Sequence, residues 1–195
     1  MATITVTEVR ARGLAETHLQ EKEARTLLEE AVADQTTERE YDIFLSHAIV
    51  DADDNDILGT KSLLEDFGYT VYLDWLEDPQ LDRSQVSRRT AETLRRRMNC
   101  CKSLFYAVTP NSRISRWMQW ECGYFDGRKS RTAIFPITRL RQEYYSGVEF
   151  VGLYPYVDQA LDRYNQQRLW INRSSKIYVP FQDWLNGKEP FWHPS

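Results

Sequence analysis

Long hydrophobic runs are missing from this sequence. A membrane-spanning helix needs about 18 consecutive apolar residues, and no window of the chain approaches that length. The first residues also lack the apolar segment flanked by basic residues that marks a secretory signal. We therefore expect a cytoplasmic protein that has no membrane partner.

Cysteine is scarce, and several common catalytic motifs are absent. Cys100, Cys101 and Cys122 form an odd, unspaced set that fits neither a disulfide framework nor a zinc site, so we expect buried, reduced thiols. The chain has no Walker loop, no G-x-G-x-x-G and no H-E-x-x-H motif. ATP hydrolysis, hydride transfer and zinc-protease chemistry therefore lack support.

Charge of one sign is also not in excess. The formal net charge is −4, so the arginines between positions 88 and 97 predict a solvated or salt-bridged helix face rather than a nucleic-acid site. Phosphate contact by one of them stays open. The acidic run at 51–56 lacks the glycine and distal glutamate of a calcium loop, and is more typical of helix capping. We expect no metal, no cofactor and no nucleic-acid partner.

What the chain does contain is typical of a globular protein, with 42% hydrophobic and 28% charged residues among 195. That length allows one domain of about 100–150 residues with additional segments. We predict a helical arm and linker at 1–40, a core domain at 41–140, and an aromatic-rich remainder with a C-terminal extension at 141–195.

Strand-like and helix-like segments alternate through the core. The strand candidates are YDIFLSH (41–47), TVYLDW (70–75), SLFYAV (103–108) and TAIFPI (132–137). This order predicts an α/β fold, a flavodoxin-like three-layer sandwich with a mostly parallel five-stranded sheet. Pro136 indicates that the last of these strands ends early or needs no backbone donor there. A further strand and a helix are expected near Asp158–Ile171.

In open sheets of this kind, ligands bind beyond the carboxyl ends of the strands. That rule selects a small set of side chains: Ser46, His47, Asp74, Trp75, Trp117 and Glu121. Trp117 and Glu121 are four residues apart and so share one helix face. A flat ring stacks on a base, and a carboxylate accepts hydrogen bonds from ribose hydroxyls. Spacing alone nevertheless favours an ordinary core tryptophan beside an exposed glutamate.

Four segments in this order resemble the successive signature segments of bacterial TIR domains: YDIFLSH, LLEDFGYTVYLDW, DRSQVSRRTAETLRRRM and SRWMQWECGYFDG. The resemblance covers about 41–137 and implies an NAD⁺-consuming fold, with residues 41–140 as the TIR core. In that family the glutamate matched by Glu121 is catalytic, and Trp117 matches its aromatic neighbour. Ser46 and His47 match the pocket edge. The stretch from Leu76 to Ser84 matches the BB loop, which gates the pocket; its binding candidates are Leu81, Arg83 and Ser84.

The resemblance implies an NAD⁺ nucleosidase or ADP-ribosyl cyclase that uses NAD⁺ as substrate. Nicotinamide leaves as a neutral molecule, so one carboxylate stabilising a ribosyl cation suffices. Attack by water gives ADP-ribose, and internal attack gives a cyclic isomer; the sequence leaves both open. Stand-alone TIR proteins of this size resemble the sensor half of Thoeris-like antiphage systems. That implies self-association through TIR contacts and a separate effector activated by the nucleotide product.

Two other functions stay open. A non-enzymatic TIR adaptor would need neither Trp117 nor Glu121 in this arrangement. A nucleoside deoxyribosyltransferase-like enzyme shares the fold plan and also uses a glutamate, but binds small nucleosides. A third function, that of a response regulator, is excluded. It would need an aspartate at the end of the third strand, where this chain has Val108-Thr109-Pro110.

Overall fold

A computed structural model describes residues 2–47, 53–73, 87–109, 116–142 and 149–194, except for the side chains of 116–118 and 149–150. The helices are α1 (Val6–Gln20), α2 (Ala24–Ala33), α3 (Asp54–Asp66), α4 (Arg88–Asn99), α5 (Arg116–Lys129) and α6 (Phe181–Leu185). The strands are β1 (Ile4–Thr5), β2 (Tyr41–His47), β3 (Val71–Leu73), β4 (Cys101–Val108), β5 (Thr132–Thr138), β6 (Tyr156–Leu161), β7 (Gln167–Ser174), β8 (Ile177–Pro180) and β9 (Phe191–Trp192). A 3-10 turn spans Glu149–Leu153.

One sheet runs through the described chain in the order β3-β2-β4-β5-β6-β7-β8-β9. The pairs from β3 to β6 are all parallel, and β7, β8 and β9 continue the sheet in antiparallel fashion. The predicted flavodoxin-like α/β fold with a mostly parallel central sheet is confirmed, but the sheet has nine strands in the described ranges where five were predicted. Its antiparallel extension was not predicted.

The central strands are apolar on both sides because each face of the sheet carries its own core. Leu45, Phe105 and Phe135 pack with residues of α1, α2 and α3 on one face. Phe44 and Tyr106 pack with residues of α4 and α5 on the other. Consecutive side chains of a strand point to opposite faces, so neighbours in sequence belong to different cores. This explains why segments such as SLFYAV show no polar alternation.

Local signals in the sequence fix several element ends. Asp53 caps α3 by accepting a hydrogen bond from the Asn55 N–H. Gly68 follows α3 with a positive φ of 88°, a conformation that glycine adopts without steric cost. Ser87 caps α4 through the Thr90 N–H. The helix capping expected in the acidic run at 51–56 is thus confirmed at Asp53.

Pro136 lies inside β5 and costs no sheet hydrogen bond. Ile134 donates its N–H to the Pro155 carbonyl, and the nitrogen two residues later faces the same side. Within the described strands, β5 pairs with β6 only at Ile134 and Tyr156. The strand therefore continues past the proline, and the second of the two predicted explanations is correct.

The amino-terminal arm consists of two helices, preceded by a short strand. The chain leaves α1 at Glu21, which adopts a left-handed conformation with φ 53°. β1 pairs with β5, and Ala2 bridges Gln159 of β6, so this segment joins the carboxyl end of the sheet. α1 packs on α3, where Arg10 donates two hydrogen bonds to Asp56, at 2.9 and 2.7 Å.

The helix expected near Asp158–Ile171 is wrong, because this segment is the β6–β7 hairpin. Its turn is closed by the Asp162 side chain, which accepts hydrogen bonds from the N–H groups of Tyr164 and Gln166. Asn165 adopts a positive φ of 58° there. Asp and Asn favour such turns because their short side chains replace backbone hydrogen bonds. Among the helices of the described ranges, none is long and apolar enough to span a membrane.

Asp158 of β6 is a fully buried carboxylate, with 0% of its surface exposed. Neither of its oxygens accepts a hydrogen bond of ordinary geometry from the described residues. Burial raises the pKa of Asp158 from 3.8 to about 6, while the nearby Asn172 side chain opposes the shift. The folded protein therefore binds this proton more tightly than the unfolded chain does. The free energy of unfolding is therefore not reduced by Asp158 below about pH 4, and it falls as the pH rises from about 4 to about 6.

We accordingly expect Asp158→Asn to stabilise the protein at pH 7.5, by up to about 2–3 kcal/mol. For a chain of this size, that corresponds to a rise in Tm of roughly 5 °C or more. At pH 4 the two proteins should melt together. Thermal unfolding at both pH values measures the difference.

Asp162 provides the matched control, because hydrogen bonding to Arg168 lowers the pKa of this partly buried carboxyl. Asp162→Asn should lower the Tm at pH 7.5, which is the opposite sign. A Tm for Asp158→Asn that is unchanged at pH 7.5 would show that burial of this carboxylate carries no cost.

Candidate active site

A single hydrogen bond joins the two best-placed candidates. Ser46 donates from Oγ to Oε2 of Glu121 over 2.7 Å. Both residues are fully buried, with 0% of their surfaces exposed. Ser46 lies next to last in β2 and Glu121 lies in the second turn of α5. The structure thus brings together two residues that are 75 positions apart in sequence.

The strand period explains why Ser46 meets α5. Phe44 points to the face that α5 covers, so Ser46, two residues later, points the same way. Because β2 and β4 end at the same edge of the sheet, Ser46 and Glu121 lie near its carboxyl edge, where ligands bind in such folds. This placement agrees with the sequence-based choice of the rim.

Tyr106 is a neighbour that the sequence reasoning missed. It is paired with Ser46 in the β2–β4 register, and its side chain lies on the same face of the sheet. Only 1% of it is exposed, and its hydroxyl is buried. The signal was available, because Tyr106 is the polar-tipped residue of SLFYAV nearest the carboxyl end.

His47 does not join this pair. It follows Ser46 directly and therefore points to the opposite face, the side that Ile43 and Leu45 share with α3. It is also largely buried, with 7% of its surface exposed. A contact between His47 and substrate stays a prediction.

The remaining predicted residues lie outside the described part of the chain. They are Asp74, Trp75, Leu81, Arg83 and Ser84, which follow β3 and include the predicted BB loop. Trp117 lies within α5, but its side chain is also outside the description. Their roles stay predictions.

Cys122, the residue after Glu121, keeps its thiol protonated. Burial is the main cause of the raised pKa of Cys122, and the negative charges of Glu121 and Asp126 raise it further. None of the three cysteines forms a disulfide. Cys122 therefore acts as a small apolar residue of the core beside Phe125.

The arrangement suits one kind of chemistry. A carboxylate fixed by a hydroxyl donor in a low-dielectric setting is pre-oriented to stabilise positive charge that develops on a bound molecule. Among the described residues, no group of three or more His, Cys, Asp or Glu side chains could hold a metal ion.

Comparison with known proteins identifies relatives of the chain. It matches no protein-family profile. It is 49% identical over 173 residues to the protein named "Probable 3' cyclic ADP-D-ribose synthase ThsB'" of Bacillus cereus (strain MSX-D12), covering 86% of this chain and 88% of that protein. A second relative, "Putative cyclic ADP-D-ribose synthase TIR2" of Cytobacillus dafuensis, is 31% identical over 88 residues, covering 43% of this chain and 22% of that protein. The chain belongs to the family of TIR-domain cyclic ADP-D-ribose synthases that includes ThsB'.

Proposed function

We propose that this protein cleaves the bond between nicotinamide and ribose in NAD⁺ and closes the remaining ADP-ribose into a cyclic signal of antiphage defence. The observation that carries the proposal is the buried Glu121 carboxylate, held by Ser46 at the carboxyl edge of a parallel sheet. The names of both relatives favour a synthase over the alternative of a non-enzymatic adaptor. From the name of ThsB', we infer that the product is the 3' cyclic isomer.

The chemistry requires stabilisation of one ribosyl cation and needs no general acid. The glycosidic C–N bond breaks, its electron pair stays with nicotinamide, and the nicotinamide leaves neutral. Positive charge then spreads over C1 and the ring oxygen of the ribose, as in glycoside hydrolysis. Glu121 stabilises this charge and accepts hydrogen bonds from the ribose hydroxyls. A hydroxyl oxygen of the same molecule then bonds to C1 and releases its proton.

The other predicted residues complete the proposal. Trp117, one turn before Glu121, supplies a flat surface for a base or for the nicotinamide ring. Residues of the predicted BB loop, with Asp74 and Trp75, close over the dinucleotide and exclude water. Excluding water favours cyclisation over hydrolysis, because the internal hydroxyl then has no competitor.

Chromatography of reaction products tests this proposal against the deoxyribosyltransferase alternative. The protein is incubated separately with NAD⁺ and with deoxynucleosides, and the products are separated. We expect nicotinamide and a cyclic ADP-ribose from NAD⁺, and no reaction with deoxynucleosides. Base exchange between deoxynucleosides with intact NAD⁺ would overturn the proposal.

Ser46 acts in this proposal as a positioning residue. Ser46→Ala removes the donor to Oε2, and a hydrogen bond to a buried charge contributes about 1.5–3 kcal/mol. We expect kcat for NAD⁺ cleavage to fall by about tenfold or more, while KM changes little. Steady-state kinetics measure both constants.

Ser46→Thr is the matched variant, because it keeps the hydroxyl and should retain most of kcat. A direct contact between Ser46 and substrate, which the TIR resemblance also implies, would appear as a rise in KM. An unchanged kcat in the Ser46→Ala enzyme would show that Ser46 does not position Glu121 for catalysis.

Assembly and a downstream partner belong to the same proposal. We place the reaction in the cytoplasm, where NAD⁺ is a metabolite, and expect the TIR domains to self-associate so that a neighbouring protomer helps to close the pocket. A separate effector protein then binds the cyclic product. Activity per protomer should rise with protein concentration; strict proportionality between total activity and concentration would contradict assembly.

A further inference from the structure

Helix α4 presents a basic face to solvent. The helix contains five arginines and one acidic residue, Glu92. Arg97 is buried, and Leu94 and Met98 hold the same side of the helix in the core. The remaining arginines lie on the exposed side around Glu92: Arg88, Arg89, Arg95 and Arg96. We call these four arginines the basic face of α4.

Most of the positive charge on the basic face is not neutralised by carboxylates of the described chain. Arg88 forms an ion pair with Glu92 at 3.1 Å, yet 92% of the Arg88 side chain stays exposed. Arg95 lies over the Trp120 ring of α5, with its guanidinium carbon 5.6 Å from the ring centroid. Two further arginines are exposed and form no ion pair within the described ranges: Arg89 and Arg96. The face is therefore available to an acidic partner.

An acidic groove of about 930 Å³ lies between the end of α1, the start of α2 and the start of α3. Four carboxylates line it: Glu21, Glu23, Asp53 and Asp54. Among these, only Asp53 has an ion-pair partner in the described chain, at 3.8 Å. Lys22 also lines the groove, but it pairs with Glu30 outside it, at 2.6 Å. Arg25 likewise pairs with Glu29, at 3.2 Å.

The basic face and the acidic groove lie on opposite sides of the sheet. The groove is formed by helices that pack on the face of Leu45 and Phe105, whereas α4 packs on the face of Phe44 and Tyr106. Within one protomer the two surfaces therefore cannot meet, but they can meet between two copies. A contact between two different surfaces is heterologous, and it repeats from copy to copy into a ring or an open chain.

We propose that the basic face of α4 docks into the acidic groove of a second copy of this chain, so that protomers assemble head to tail. Complementary charge favours this pairing and disfavours contacts between two basic faces or two acidic grooves. The inference rests on the self-association included in the proposed function, and it names the surfaces that form the contact.

The position of the two surfaces in the fold agrees with the proposed closure of the pocket by a neighbour. α4 begins at Arg88, four residues after the end of the predicted BB loop at Ser84. The groove lies beside the first turn of α3, the helix that follows β2 at the carboxyl edge of the sheet. Docking therefore brings the stretch that precedes α4 in one protomer toward the carboxyl edge of the next.

Sedimentation velocity of the full-length, nuclease-treated protein tests the proposal without NAD⁺. At about 0.1 M salt we expect species larger than a dimer, which grow with protein concentration. At about 1 M salt, where the Debye length falls from about 10 to about 3 Å, we expect mainly monomer.

Charge reversal on each surface tests the contact itself. The basic-face variant carries Arg89→Glu with Arg96→Glu, and the groove variant carries Glu21→Lys with Glu23→Lys. Each variant alone should need at least about tenfold more protein to assemble, because like charges then oppose each other. An equimolar mixture should assemble again, because the reversed face of one variant fits the reversed groove of the other.

Arg163→Glu is the control, since Arg163 is exposed in the β6–β7 turn, away from both surfaces. This variant should assemble as the wild type does. Thermal unfolding checks that every variant is folded, and glutamine at Arg89 and Arg96, which only removes charge, should give the same defect to a smaller extent.

A wild-type protein that stays monomeric at about 0.1 M salt would overturn the proposal. So would a mixture of the two variants that stays monomeric, or assembly that requires added nucleic acid, because the arginines would then bind a polyanion. A protein that cleaves NAD⁺ without this assembly would leave the proposed chemistry standing and remove only the docking contact. Restored assembly in the mixture without NAD⁺ cleavage would do the reverse.

Discussion

Glu121→Gln should reduce nicotinamide release from NAD⁺ by about a thousandfold or more. The substitution keeps the size and planarity of the side chain but removes the negative charge that stabilises the ribosyl cation. Glutamine still accepts the hydrogen bond from Ser46 through its amide oxygen, so the fold around position 121 should be preserved. Initial rates of nicotinamide release, measured at saturating NAD⁺, give the change in kcat.

Cys122→Ser is the matched control for this experiment. It alters the adjacent buried side chain, outside the proposed chemistry, and should retain most of kcat. Thermal unfolding of both variants separates lost chemistry from lost folding. Glu121→Gln protein that is folded and still releases nicotinamide at the wild-type rate would remove Glu121 from the mechanism.

Gly59→Ala should destabilise the protein by about 3 kcal/mol or more, because α1 and α3 cross with almost no space between their backbones. A Cβ atom at position 59 would lie 1.7 Å from the Val9 carbonyl oxygen and 2.8 Å from the Gly13 nitrogen. These are backbone atoms within a helix, and they cannot move aside as a flexible side chain would. The expected fall in Tm is roughly 6–12 °C, measured by thermal unfolding.

Gly127→Ala provides the comparison. A Cβ there meets nothing within 4 Å, and the residue lies in α5, where alanine is a better helix former than glycine by about 0.5–1 kcal/mol. This variant should be as stable as the wild type or more stable. Equal stability of the Gly59→Ala protein would contradict the close crossing of the two helices.

The central fold was predictable because its signals are local. YDIFLSH and SLFYAV are short apolar runs between polar turns, and Asp53 and Gly68 mark both ends of a helix. Such patterns depend only on the backbone of their own segment, so they can be interpreted without knowledge of tertiary contacts. The parallel order of the strands then follows from their alternation with helices.

The parts that were missed depend on long-range contacts. The short strand at Ile4–Thr5 exists because it pairs with β5, and nothing in two residues of sequence signals that pairing. The β6–β7 hairpin is the exception, because its polar turn at Asp162 and Asn165 is a local signal. The role of Gly13 and Gly59 is likewise visible only once α1 and α3 are placed together.

Some features of the candidate site were predictable from the sequence, and others were not. The rim rule and the TIR resemblance selected Ser46 and Glu121, which the structure joins by a hydrogen bond. Their complete burial was not predictable, because the spacing of Trp117 and Glu121 by itself favours an exposed glutamate. The opposite orientation of His47 follows from the strand period, because consecutive residues of β2 point to opposite faces of the sheet.

A crystal structure of the Glu121→Gln protein with NAD⁺ bound tests the central claim most directly. The account predicts that the hydroxyls of the nicotinamide ribose lie within hydrogen-bonding distance, about 2.6–3.2 Å, of the side chain at position 121. A dinucleotide bound elsewhere, with neither ribose near that side chain, would contradict it.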